Sequence, residues 1–233
     1  MIRFGIIGAM DIEVEMLKEV MTVREKTPLA GMEFCSGILE GRNTVVVTSG
    51  IGKVNAAVCA QILISVFGCT HIVNTGVAGA VHDALEVGDL VISTDVLEHD
   101  FDATGFGYEP GQIPRMSQWI FPADPELVRL AEASARQEAI THQVRRGRIV
   151  SGDIFVSSAA VKEKLLHQFD ASATEMEGAA IGHTCWLSGI PFLILRAMSD
   201  KADGTAHESF DTFCREAAVN SSRMVRNMLR HAE

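Results

Sequence analysis

Residues Ser172 to Asp200 read SATEMEGAAIGHTCWLSGIPFLILRAMSD, and the order of patterns in this stretch decides the fold. A short strand ends in the acidic pair Glu175 and Glu177, which flank Met176. A helix of small and apolar residues follows from Gly178 to Leu187. Gly189-Ile190-Pro191 breaks it, and a buried strand from Phe192 to Ala197 leads into Ser199-Asp200. Two carboxylates thus arrive at the C-terminal ends of two strands joined by one helix. In open α/β sheets the ligand crevice lies at that edge. An acid left there unpaired in apolar surroundings has its pKa raised.

The same alternation extends outward. Ile2 to Ile7 reads as a buried strand and Gly8-Ala9-Met10 as its exit turn. Met10, Val14, Leu17 and Met21 then recur at helical spacing, with Glu13, Glu15 and Glu19 between them. Strands over Glu33–Leu39 and Thr44–Thr48 are joined by the turn Glu40-Gly41-Arg42-Asn43. SGIGK (Ser49 to Lys53) opens a helix running from Val54 to Phe67. His71 to Thr75 is a strand closed by the glycine turn Gly76 to Ala80, and Leu90 to Leu97 is another. Asp124 caps a helix from Pro125 to Ala139. Val144 to Ser151 is a half-exposed strand, Ala159 to Phe169 a helix, and His207 or Ser209 begins a last amphipathic helix through Leu229. Eight or nine strands alternating with six helices predict an α/β fold. Its central sheet is mixed, twisted and mostly parallel, with antiparallel pairing near the 33–48 hairpin. The absence of a Pro/Gly/Ser linker predicts a single domain over residues 1–233.

Composition narrows the function. The formal net charge is −10, and no basic run exceeds Arg145-Arg146, which argues against nucleic acid or an anionic membrane as partner. The five cysteines form no CxxC pair and fit a reducing compartment. The eight histidines contain no HExxH, so no metal site is expected. No secretory segment or membrane span is visible, which predicts a cytoplasmic protein. GIIGAM near the start approaches a dinucleotide fingerprint but lacks its three-glycine spacing, and SGIGK lacks the spacer and the Lys-Ser/Thr ending of a P-loop.

Several residues are candidates for chemistry. GAM, SGIG and TGVAG, three glycine-rich turns in the first eighty residues, bring backbones toward one site. Glu13 falls in a first helical turn, where an acid commonly does no more than suit the helix dipole. Phe155, at a strand exit beside glycine, is either core or a platform for a planar base. His99 to Pro122 is a long aperiodic stretch carrying Phe101, Phe106, Tyr108, Trp119 and Phe121. Its length and aromatic content predict a lid or an arm to a partner subunit. His99, Asp100 and Asp102 within it read more simply as loop residues making hydrogen bonds than as metal ligands. Arg196 reads as an ion-pair partner beside the acidic pair.

The motifs IIGAM-DIEVE, SGIGKVNAA, NTGVAGA, VGDLVIS, HDFDATGFGYEPGQIP, SGDIFV, EMEGAAI, RAMSD and SFDTF occur in that order. Over about residues 2 to 225 the chain therefore resembles the bacterial 5′-methylthioadenosine/S-adenosylhomocysteine nucleosidases, of the nucleoside phosphorylase superfamily. The resemblance implies a three-layer, mixed-sheet α/β sandwich and a homodimeric hydrolase that uses water to cleave adenine from a 5′-thio-substituted ribose, without metal or cofactor. 5′-Deoxyadenosine and aminodeoxyfutalosine are further candidate substrates. It also implies roles: Asp200 as the acid that protonates adenine N7, and Glu13 as the base that activates water. Glu177 binds the ribose hydroxyls, with Met176 against the sugar. Phe155 stacks on the base, and the Val156 backbone reads its edge. Met10, Ile51 and Phe210 form apolar wall, Gly79 and Ser199 complete the substrate site, and Phe106 and Pro114 come from the neighbouring subunit. Many relatives have Ser where this chain has Val77. The departure implies that Asp200 is oriented by Ser199 or by a backbone group.

Overall fold

A computed structural model describes residues 2–137 and 142–232 of the chain. The ten strands found there form a single sheet. In chain order the elements are β1 (Phe4–Gly8), α1 (Asp11–Val20), β2 (Thr22–Leu29), β3 (Met32–Leu39), β4 (Arg42–Thr48), α2 (Lys53–Ser65), β5 (His71–Ala80) and β6 (Leu90–Glu98). They continue with β7 (Phe121–Pro122), α3 (Pro125–Gln137), β8 (Val144–Ser151), α4 (Ala159–Phe169), β9 (Ala171–Glu175), α5 (Gly178–Ser188), β10 (Phe192–Asp200) and α6 (Ala206–His231). The expected end of α3 at Ala139 lies outside the described residues.

The strand sequences explain the layering. Ile6 and Ile7, Val46 and Val47, Val73 and Ile72, Leu193 and Ile194 are all buried, and in each pair the two residues belong to opposite cores. Side chains on a strand alternate between faces, so a continuous apolar run is what a strand covered on both sides requires. One face packs under α1, α3 and α6 through Val14, Leu17, Leu127, Met224 and Met228. The other packs under α2 and α5 through Ala56, Leu63, Ala179 and Ile181. A smaller core under α4 gathers Leu97, Val150, Leu165 and Phe169.

The central strands β4, β1, β5 and β10 are parallel. As expected, the 33–48 hairpin is antiparallel. Its turn is only two residues long, with Glu40 (φ 48°) and Gly41 (φ 80°) both left-handed, the conformation that matches strand twist in a tight hairpin. The sheet does not remain open at its other side. β5 pairs with β1, β10 and β9, and β10, β6, β8 and β9 complete a ring back to it.

Two strands have no sequence signal. β2 is exposed along nearly its whole length, so it shows no apolar alternation. It is a sheet edge whose Arg24, Glu25, Lys26 and Pro28 discourage further pairing. β7 is two residues closing the long aromatic segment, in which Thr104–Phe106 form a 3-10 turn. The glycine turn expected at Gly76–Ala80 is instead strand, because β5 continues through it to Ala80. Likewise β10 runs three residues past Ala197 to Asp200. Asp124 caps α3 as expected, its Oδ1 accepting the N–H groups of Glu126 (3.0 Å) and Leu127 (2.9 Å).

Candidate active site

The C-terminal ends of the parallel strands converge on a largely apolar cavity with a few polar groups, the make-up of a small-molecule site. Glu13 and Asp200 both line it. Glu13 sits on the first turn of α1 and is 3% exposed. Its carboxylate turns back over β1: Oε2 accepts the N–H of Ala9 (2.7 Å) and of Met10 (2.9 Å), and Oε1 accepts that of Val77 (3.0 Å). The solvated first-turn acid is therefore excluded. Burial raises the Glu13 pKa, opposed by the Arg196 charge and by these three N–H groups. A buried carboxylate with a raised pKa, lining a cavity, is a candidate functional residue.

Asp200 ends β10 and is 2% exposed. Its Oδ2 accepts the Ser199 hydroxyl at 2.9 Å and its Oδ1 the Ala202 N–H at 2.8 Å. Both orienting groups foreseen for it, Ser199 and a backbone N–H, are thus in place, with Val77 supplying no hydroxyl. Burial again leads in raising its pKa, and the Ala202 and Ser199 hydrogen bonds oppose it.

The glycines of β5 make room for both acids. A Cβ on Gly76 would collide with the Glu13 carboxylate, and one on Gly79 would stand 2.8 Å from Asp200 Oδ1. Neither glycine has positive φ. Their need is for space, not for turn geometry, which is why TGVAG is strand.

The acidic pair behaves asymmetrically. Glu175 closes β9 and is bound by the N–H groups of Glu177 and Gly178 at the start of α5, by Ser151 Oγ and by Arg196. Arg196 is 1% exposed and also donates to Asn74 Oδ1; it is the ion-pair partner expected. Glu177 is the residue left for a ligand. It lines the cavity with Met176, its Oε1 accepts the Gly52 N–H at 2.8 Å, and it stands 3.8 Å from Arg196. Burial first, then the Glu175 charge, push its pKa up to about 8 against the pull of Arg196.

The remaining wall is apolar. Met10, Ile51, Phe155 and Phe210 line the cavity, as do Gly79 and Ser199. Phe155 is 39% exposed, which decides against plain core. Its ring meets His207 at 4.7 Å and the edge of Phe210 at 5.8 Å. Three candidates stand apart from the cavity wall. The Val156 side chain is buried in the small core under α4, while Phe106 and Pro114 lie on the long segment after β6, with Phe106 89% exposed. Sequence reasoning did not name Ala9, Ala78 and Thr174, which also line the cavity. Thr174 follows from strand register, since it pairs with Gly79 across β5 and β9.

Such a fold, with carboxylates at the strand ends around a cavity, defines the Phosphorylase superfamily, whose family model matches residues 3–230. Within it, the chain belongs to the family of 5′-methylthioadenosine/S-adenosylhomocysteine nucleosidases. It is 45% identical to the nucleosidase of that name from Staphylococcus carnosus, over 97% of this chain and 98% of the relative. The Neisseria meningitidis nucleosidase, solved with methylthio-immucillin-A, superposes with a TM-score of 0.95 at 40% identity, covering all of both chains. Futalosine hydrolase of Helicobacter pylori superposes at 0.94 with 34% identity, over 99% of this chain and 98% of that one.

Proposed function

We propose that this chain hydrolyses the N-glycosidic bond of 5′-methylthioadenosine and S-adenosylhomocysteine, releasing adenine and the thioribose. The observation that carries the reading is the make-up of the cavity wall, which holds carboxyl groups and, among the described residues, no cation. Among the described lining residues four are carboxylates, Glu13, Glu175, Glu177 and Asp200, and none is Lys or Arg. A phosphate nucleophile needs cations and N–H donors around it. Here the backbone N–H groups nearest the base are already taken by Glu13, and the Arg196 guanidinium is committed to Glu175 and Asn74. Water suits this wall and phosphate does not.

The chemistry follows from the placement. Asp200, whose pKa burial raises, gives its proton to adenine N7 as the C1′–N9 bond breaks, so that adenine leaves as a neutral base. Positive charge builds on the ribose ring as in other glycoside cleavages. Glu177 accepts hydrogen bonds from the ribose hydroxyls, and the charge of Glu13 stabilises the electron-poor sugar. Glu13 takes a proton from the water whose oxygen bonds to C1′. Acid and base contribute about 10²–10⁴-fold each. Phe155 stacks on adenine and the Val156 backbone reads its edge.

The long segment after β6 serves as an arm to a second copy of the chain. The wide exposure of Phe106 supports this reading, with Phe106 and Pro114 closing the thioalkyl end of the partner's site in a homodimer. One continuous sheet supports a single domain. Five unpaired cysteines, four of them buried, fit a cytoplasmic location. Among the described residues no helix is long and apolar enough to cross a membrane.

The likeness to futalosine hydrolase favours aminodeoxyfutalosine as a second substrate. Initial rates of adenine release from methylthioadenosine, S-adenosylhomocysteine, 5′-deoxyadenosine and aminodeoxyfutalosine test the assignment. Release from the two thio-nucleosides is expected, and none from either would overturn it.

A further inference from the structure

Two adjacent N–H groups at the start of α2 are each held by a carboxylate from a distant part of the chain. Gly52 donates to Glu177 Oε1 and Lys53 donates to Asp153 Oδ1, both at 2.8 Å. The residues at the start of α2 provide no side-chain cap of their own, so the Asp153 carboxylate does the work of an N-cap from a position 100 residues away. Asp153 is itself fixed, since its N–H donates to Asp100 Oδ2 at 2.9 Å. The same Asp100 accepts the Lys53 ammonium at 2.6 Å, and Glu98 stands 3.5 Å from that ammonium. Gly52 is squeezed between the two acids. It has a φ of +98°, and a Cβ there would lie 3.1 Å from Asp153 Oδ1. The loop that presents the Gly52 N–H to Glu177 is therefore pinned on its far side.

We propose that Asp153 is a positioning residue for the ribose-binding carboxylate: by capping α2 at Lys53 it holds the Gly52 N–H against Glu177. The proposal rests on the hydrolase reading above, because Glu177 matters to turnover only if it grips the sugar. Asp153 faces solvent and does not line the cavity, so it touches no part of the substrate. When the cap is lost, the first turn of α2 frays, Gly52 leaves Glu177, and the carboxylate swings toward the Arg196 guanidinium 3.8 Å away. The grip on the ribose weakens, while the adenine end, formed by Phe155 and Asp200, is untouched.

The test compares Asp153→Ala with Asp153→Asn, whose amide oxygen can accept the same N–H. For Asp153→Ala the KM for methylthioadenosine should rise about tenfold, the size of a lost cap hydrogen bond. The Kd for free adenine should not change, and Asp153→Asn should recover most of the loss. A KM equal to that of the unchanged chain would overturn the proposal. So would a parallel loss of adenine affinity, which marks a general loosening of the loop that carries Phe155. Should the alanine variant not fold, Asp153→Ser keeps a shorter cap, and its KM should fall between the two; an unaltered KM contradicts the role. If the unchanged chain fails to turn over methylthioadenosine, the hydrolase reading fails instead. Equilibrium binding of the nucleoside against adenine then still decides what Asp153 does.

Discussion

The backbone N–H of Val77 donates to Glu13 Oε1 at 3.0 Å, joining the middle of β5 to the first turn of α1 across 64 residues of sequence. With Ala9 and Met10 holding the other oxygen, three N–H donors aim one buried carboxylate. Because the contact uses the main chain, the valine side chain is irrelevant to it.

Glu13→Gln should therefore cripple catalysis. The amide can accept the Ala9 and Met10 bonds, but its NH₂ then faces the Val77 N–H, donor against donor. A fall in kcat of about 10²–10⁴ is expected from the lost base, with about 1–3 kcal/mol of destabilisation from the unmade hydrogen bond. Steady-state kinetics and a denaturant melt measure the two; a wild-type kcat would remove Glu13 from the mechanism.

Asp200→Asn should reduce kcat by a similar factor while adenine still binds. Ser199→Ala gives a subtler signal. Burial raises the Asp200 pKa and the Ser199 hydroxyl lowers it, so deleting the hydroxyl raises it further. A general acid works only while protonated, and the alkaline fall of kcat/KM should move to higher pH in this variant. A shift to lower pH would mean that Asp200 is not the donor.

Glu177 ties stability to pH. Its pKa rises from 4.5 to about 8 in the fold, chiefly through burial, so folding takes up a proton there. A raised carboxyl pKa contributes stability that is complete below 4.5 and is lost as pH rises through about 8. Glu177→Gln cannot ionise. Its Tm should fall less than that of the unchanged chain across this window, while its KM for the nucleoside rises. Parallel Tm curves would show that Glu177 is ionised throughout.

Phe155 presents a half-exposed ring to the cavity, backed by His207 and Phe210. Stacking of one base on one aromatic ring contributes about 1–3 kcal/mol. Phe155→Ala should weaken adenine binding by about tenfold or more, with little loss of thermal stability; calorimetric titration with adenine reads this directly. Unchanged affinity would return the ring to a packing role.

Much of the fold was legible because its central strands are buried on both faces and α3 begins at a recognisable cap. Asp124 before Pro125 and the apolar run Phe192–Ala197 carried their own signals. What was not legible depended on long-range contact. β2 has no buried face to pattern. The glycines at 76 and 79 look like turn residues in sequence, yet they are strand positions emptied for the carboxylates of Glu13 and Asp200. Glu13 itself was indistinguishable in spacing from Glu15 and Glu19, and only its three backbone donors and its burial set it apart. The closure of the sheet through β5 and β9 rests on two residue pairs, too few to leave a pattern.

The most direct test of the hydrolytic mechanism is cleavage of methylthioadenosine in isotopically labelled water, with and without inorganic phosphate. The carboxylate wall predicts label at C1′ of the released thioribose and a rate of adenine release that phosphate does not change. A rate that requires phosphate, with a sugar 1-phosphate as product and no label from water, would contradict it.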